Sequence, residues 1–151
     1  MLRDKTHGAI PLGAADLTPA ELAPHLVRLQ LERVELNTTI DGLRFRRDEL
    51  AGKLRHAKAS AEAEARRTLD PARGKTAPAA SAVKAFVDEY PAVLDVKEAQ
   101  AEVARDLAAA DDRAGQVRSG LRVILSLIEV AHRTADAAAL EAKIAGAGED
   151  W

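Results

Sequence analysis

The chain has 151 residues, with 22 lysines and arginines against 24 aspartates and glutamates, no cysteine and only 3% aromatic residues. That length fits one domain, and the lack of cysteine excludes disulfides, thiolate nucleophiles and thiolate-bound metal. With 30% of residues charged, no apolar run approaches the ~18 residues that a membrane span needs. The opening residues Met1-Leu2-Arg3-Asp4-Lys5 lack the apolar core of a signal peptide, so the expected compartment is the cytoplasm.

Residues 1–17 show no hydrophobic period and read as a mobile arm. Thr18-Pro19-Ala20-Glu21 then has the form of a capping box, with Pro19 suited to the first helical position. Pro24 would remove a hydrogen bond one turn later, which predicts a short turn followed by a long helix over about 24–68. Along it Leu22, Leu29, Leu36, Leu43 and Leu50 recur every seven residues, interleaved with Leu26, Arg33, Ile40, Arg47 and Leu54. This is a heptad seam with leucine at each d position and two arginines among the a positions. A single helix cannot bury such a stripe, so it requires a partner. Val27, Leu31 and Val34 add a second apolar flank.

Residues 68–81 are the only convincing interior linker. Ser81 is expected to cap a short helix from Ala82 to Tyr90, and Pro91 to end it. A second long helix is predicted over about 92–133. Its seam runs Val93, Val96, Gln100, Val103, Leu107, Ala110, Ala114, Val117, Leu121, Ile124 and Ile128, again in steps of three and four. Leu121 to Val130 is apolar around most of the helix, a width that predicts burial between subunits. Beyond Thr134 the chain is Ala-rich and weakly helical, and 146–151 reads as a flexible tail. The expected fold is all-α: one helical domain over 18–145, coiled-coil-like and homo-oligomeric. Its interface would include Leu29, Leu36, Ile40, Leu43, Leu50, Leu121, Ile124, Leu125 and Ile128.

Catalytic and metal chemistry find little support. Gly74-Lys75-Thr76 lacks the upstream glycine of a phosphate-binding loop, since position 69 is Leu. His7, His25, His56 and His132 stand alone, without the three- or four-residue spacing of a helical metal site. No nucleophile stands with a base. The reading is therefore a non-enzymatic protein without cofactor or metal. A leucine-zipper transcription factor also fails, because only Arg3 and Lys5 are basic ahead of the leucine repeat.

Charge layout says more than net charge. Residues 1–43 hold four basic and six acidic side chains, 44–75 hold ten and five, and 76–151 hold eight and thirteen. One basic segment therefore stands out, and repeated around an oligomer it becomes a continuous track for phosphates. Arg55, Lys58, Arg66, Arg67, Arg73 and Lys75 are its candidate phosphate contacts. Phe45 is the only aromatic within it, so binding would be directed at the backbone and sensitive to salt. The competing reading is a set of solvated charges, some of them paired with the acidic second helix.

Over residues 83–133 a short helix leads to Ala92-Val93-Leu94-Asp95-Val96. A long helix then carries Gly115-Gln116-Val117-Arg118-Ser119-Gly120-Leu121-Arg122-Val123-Ile124 near its end. Together with a first long helix running into a basic, Gly-containing linker, Arg66-Arg67 to Arg73-Gly74-Lys75, this pattern resembles the UvsY-type recombination mediators of tailed phages. The chain departs from them in having few aromatics and more Ala and Arg. The resemblance implies a ring-forming helical protein that binds single-stranded DNA and acts in DNA recombination and repair. It also implies two protein partners, a recombinase and a competing single-strand-binding protein, and no membrane. The alternative from another class is a phage scaffold, chaperone-type or structural coiled-coil protein that only assembles.

Overall fold

The computed structural model describes residues 17–69 and 79–149. These form three helices, α1 (Pro19–Leu69), α2 (Ala80–Glu89) and α3 (Pro91–Glu149), and no strand occurs among the described residues. The all-α expectation, two long helices joined by a linker and a short helix, is what the chain adopts. The expected arm over 1–17 lies outside the described residues except for Leu17. Residues 70–78 of the expected linker, with Arg73 and Lys75, lie outside them as well.

The start of α1 follows its sequence closely. The Thr18 amide donates to Glu21 Oε2 at 2.7 Å, and the Glu21 amide donates to Thr18 Oγ1 at 3.3 Å, a reciprocal capping box. These contacts hold the Glu21 carboxyl below its ordinary value, chiefly through the Thr18 backbone. Leu17, just ahead of the cap, packs on the cluster that contains Leu22, so the arm's last residue acts as a hydrophobic staple. The helix thus begins at Pro19 rather than near Pro24, and Pro24 is accommodated inside it. The only bond lost there is to the Ala20 carbonyl, and Ala20 is exposed, so water can take its place.

The corner between α2 and α3 also departs from expectation in detail. α2 begins at Ala80 with Ala79 as its N-cap, and no side chain caps it. Ser81 lies inside the first turn instead, because the amides of Ala82 and Val83 already donate to the Ala79 carbonyl at 2.9 and 3.1 Å. Tyr90 is extended, with φ −67° and ψ 126°, as the residue before a proline must be. Pro91 then opens α3 as its first residue, with the amides of Val93 and Leu94 donating to the Tyr90 carbonyl at 2.9 and 3.0 Å. One proline thus stops α2 and starts α3. α3 runs on through the Ala-rich segment to Glu149, past the expected end at 133.

By contact the chain divides into two compact units: Thr39–Ala109, and the flanking residues up to Thr38 together with those from Ala110 onward. In the flanking unit Leu22, Leu29, Val117, Leu121 and Ile124 form a buried cluster, supported by Leu17, Leu26, Leu36, Leu127 and Ile128. In the Thr39–Ala109 unit the cluster is smaller-grained: Ala57, Ala61, Val87 and Val93, with Leu54, Val83 and Tyr90 against it. The α3 seam is realised throughout, since all eleven of its positions from Val93 to Ile128 are buried or half-buried. The leucines of the α1 seam also turn inward. Arg33 and Arg47 at its a positions are exposed, so their charged ends reach water and desolvate nothing.

Candidate nucleic-acid interface

The basic residues of α1 divide between two flanks of its buried stripe. Arg55, Lys58 and Arg66 lie at offsets of three and eleven residues, which places them on one side of the helix. Arg55 and Arg66 are exposed and Lys58 is half-buried. Among the described residues, no carboxylate forms an ion pair with any of the three. Glu62 falls between Lys58 and Arg66 on the same flank and dilutes its charge. Arg46, Lys53 and Arg67 lie on the other flank at multiples of seven. There Lys53 Nζ sits 2.8 Å from Glu49, and Arg67 Nη2 sits 3.0 Å from Glu64. Lys53, and more weakly Arg46, hold the Glu49 carboxyl below its ordinary value.

Of the six candidate phosphate contacts, the structure therefore brings Arg55, Lys58 and Arg66 together and places Arg67 elsewhere, already paired. Arg73 and Lys75 lie outside the described residues. Phe45, the aromatic of the segment, is 74% exposed.

The candidate interface residues also separate. Leu29, Leu121 and Ile124 belong to the cluster of the flanking unit, while Ile40 and Leu50 are buried in the Thr39–Ala109 unit. Leu36, Leu43 and Ile128 are half-buried. The chain itself covers these side chains, so their burial needs no second subunit. Leu125 alone is well exposed, at 52%. Further along α3, Val130, Leu140 and Ile144 are exposed too, as are Val27, Leu31 and Val34 on α1.

One polar contact was not legible in the sequence. Arg113 donates through Nε and Nη2 to Glu32 Oε1, both at 3.0 Å, joining α3 to α1 within the flanking unit. The Glu32 side chain is only 12% exposed, and its second oxygen, Oε2, is buried without a hydrogen-bond partner. This pair orders the bundle. The remaining ion pairs are exposed and mostly within one helix, where such pairs contribute little.

Among the described residues no cluster of His, Asp or Glu could hold a metal ion. No described helix is long and apolar enough to cross a membrane. Comparison with protein-family models, with curated proteins and with solved structures finds no match to this chain.

Proposed function

We propose that this is a non-enzymatic single-stranded DNA-binding accessory protein of recombination, acting as a helical homo-oligomer. In this reading the basic flank of α1 neutralises phosphates, and the assembled protein helps a recombinase displace a competing single-strand-binding protein. The observation that carries it is the grouping of Arg55, Lys58 and Arg66 on one side of α1 with no ion-pair partner among the described residues. Cations left unpaired are those that can release counterions from a nucleic-acid backbone. The resemblance over 83–133 supplies the recombination setting.

The test is a titration of the protein with labelled single-stranded oligonucleotide at several salt concentrations. Each phosphate neutralised contributes about −0.7 to the slope of log affinity against log salt. Replacing Arg55, Lys58 and Arg66 together with Ala should flatten the slope by about 2 and weaken binding equally on all sequences. Arg105 and Arg122 are exposed on α3 and serve as the control. No binding by the unaltered protein at low salt, or an equal loss from the control pair, overturns the proposal.

A second reading, an assembly protein of the scaffold or chaperone kind without nucleic acid, is favoured by one observation of its own. Leu125, Val130, Leu140 and Ile144 are all exposed along α3, and a run of apolar residues left uncovered on one helix is a surface for another helix. An assembly that forms but shows no salt-dependent retention on single-stranded DNA would select this reading.

A further inference from the structure

A cleft of about 520 Å³ opens within the Thr39–Ala109 unit, between α1 and the corner where α2 gives way to α3. Its α1 wall carries Gly52, Lys53, His56 and Ser60, and Tyr90 and Val96 face them from the corner. The lining is mostly apolar, with Lys53, His56 and Ser60 supplied by α1 and the Tyr90 phenol by the corner. That size and composition are those of a small-molecule site. At Gly52 a Cβ would meet nothing within 4 Å, so this wall is open rather than packed.

Tyr90 is held from both sides. Its amide donates to the Val87 carbonyl at 3.2 Å, and its carbonyl receives the first amides of α3. Its ring rests against Phe86, with centroids 5.9 Å apart and planes inclined at 35°. A half-buried aromatic ring that rests on Phe86 and lines a cleft can serve as a stacking platform. Beside it runs the Arg46–Lys53–Arg67 flank of α1, at multiples of seven residues and in line with Ser60 in the cleft wall. A mostly apolar cleft with an aromatic residue and the Lys53 ammonium in its lining suits one unit of a nucleic acid, base inward and phosphate at Lys53.

We infer that this cleft receives a base of bound single-stranded DNA, which stacks on Tyr90 while Lys53 takes the adjoining phosphate. The inference rests on the DNA-binding reading and extends it from backbone contact to base contact. Lys53 is bonded to Glu49 in the free protein, so the phosphate replaces a carboxylate, and Glu49 is the competitor. An apolar side chain from a second copy would fit the slot less well, because it would strip water from the Lys53 ammonium without replacing it.

Tyr90 is the only tyrosine of the chain and Trp151 the only tryptophan, so in a Trp151→Phe background tyrosine emission reports on Tyr90 alone. A single-stranded oligonucleotide should quench that emission. An abasic oligonucleotide with the same number of phosphates should not, and should bind roughly ten-fold more weakly. Tyr90→Phe keeps this preference for bases, as read by anisotropy of a labelled strand. Tyr90→Ala loses it, and Glu49→Gln tightens binding. Salt-dependent binding without quenching, and equal for the abasic strand, overturns the base pocket while leaving the phosphate flank intact. Equal occupancy by a free mononucleotide and by a strand overturns the strand as occupant. No binding at all at low salt overturns both readings together.

Discussion

Replacing Arg113 with Leu removes the one side-chain partner seen among the described residues for a carboxylate that is mostly enclosed. Glu32 is 12% exposed and Oε2 has no hydrogen-bond partner, so after the change neither oxygen is satisfied by the protein. Breaking a buried pair from one side costs about 3–5 kcal/mol when both charges are dry. Arg113 is 33% exposed, so water already screens part of the pair, and the expected loss falls to about 2 kcal/mol. With a urea dependence of roughly 1–3 kcal/mol per molar for domains of modest size, the midpoint should drop by about 1 M. Far-UV circular dichroism is the readout, since the described chain is nearly all helix. The decisive companion is the double variant, Glu32→Leu with Arg113→Leu. It replaces the pair by apolar groups and should recover most of the loss, because the cost lies in the abandoned charge and not in the missing bond. If the single variant unfolds within about 0.5 kcal/mol of the parent, or the double variant is no better than the single, the pair is not a structural device.

The other expectations concern single sites. Ile124→Ala, at a position with no exposure, should cost about 2–5 kcal/mol in the same urea assay. Thr18→Ala removes the N-cap acceptor and should cost about 1 kcal/mol, with the loss confined to the start of α1 by amide exchange. The Glu21 carboxyl is lowered in the folded chain. Its contribution is therefore present above the unfolded carboxylate value and fades as pH falls through the folded one. Glu21→Gln should flatten the acid limb of the stability profile there. Leu125→Asp should leave the stability of the single chain nearly unchanged, since Leu125 is half open to water within it. If α3 assembles through this side, the variant's mass by light scattering should fall, and an unchanged mass removes Leu125 from the interface.

Much of the fold was legible from spacing. The four–three seam on α3 names the side chains that turn inward, because a helix buries a stripe whatever covers it. The capping box at Thr18 and the turning role of Pro91 are equally local, each settled by residues within one turn. What was not legible depends on long-range register. In the sequence Arg113 reads like any solvent-facing arginine. Only the packing of α3 on α1 within the flanking unit brings it to Glu32. Within the Thr39–Ala109 unit, the turn at the α2–α3 corner likewise places Tyr90 in one cleft with His56 and Lys53, residues more than thirty positions apart in sequence. The width of the apolar surface at Leu121 to Val130 was visible, but not that the chain's own first helix covers Leu121 and Ile124. Pro24 misled for a local reason: one lost bond near a solvent-facing turn does not end a helix whose cap and staple are already in place.

The three buried alanines of α1, Ala57, Ala61 and Ala65, follow one another at steps of four in the Thr39–Ala109 unit. An alanine removes far less apolar surface from water than the leucines and isoleucine that fill the flanking unit, at about 25 cal/mol per Å². The stretch of α1 from Ala57 to Ala65 is therefore held by less buried apolar surface than the stretch around Leu22 and Leu29, while Ile40 and Leu50 anchor the rest of the Thr39–Ala109 unit. Amide protons between Gly52 and Ala65 should exchange through partial opening, well before those around Leu29 and Val117, whose release requires the larger cluster to come apart. That stretch also lines the cleft and carries part of the basic flank. A strand or partner bound there should slow this exchange, which makes hydrogen exchange across α1 a direct report of occupancy.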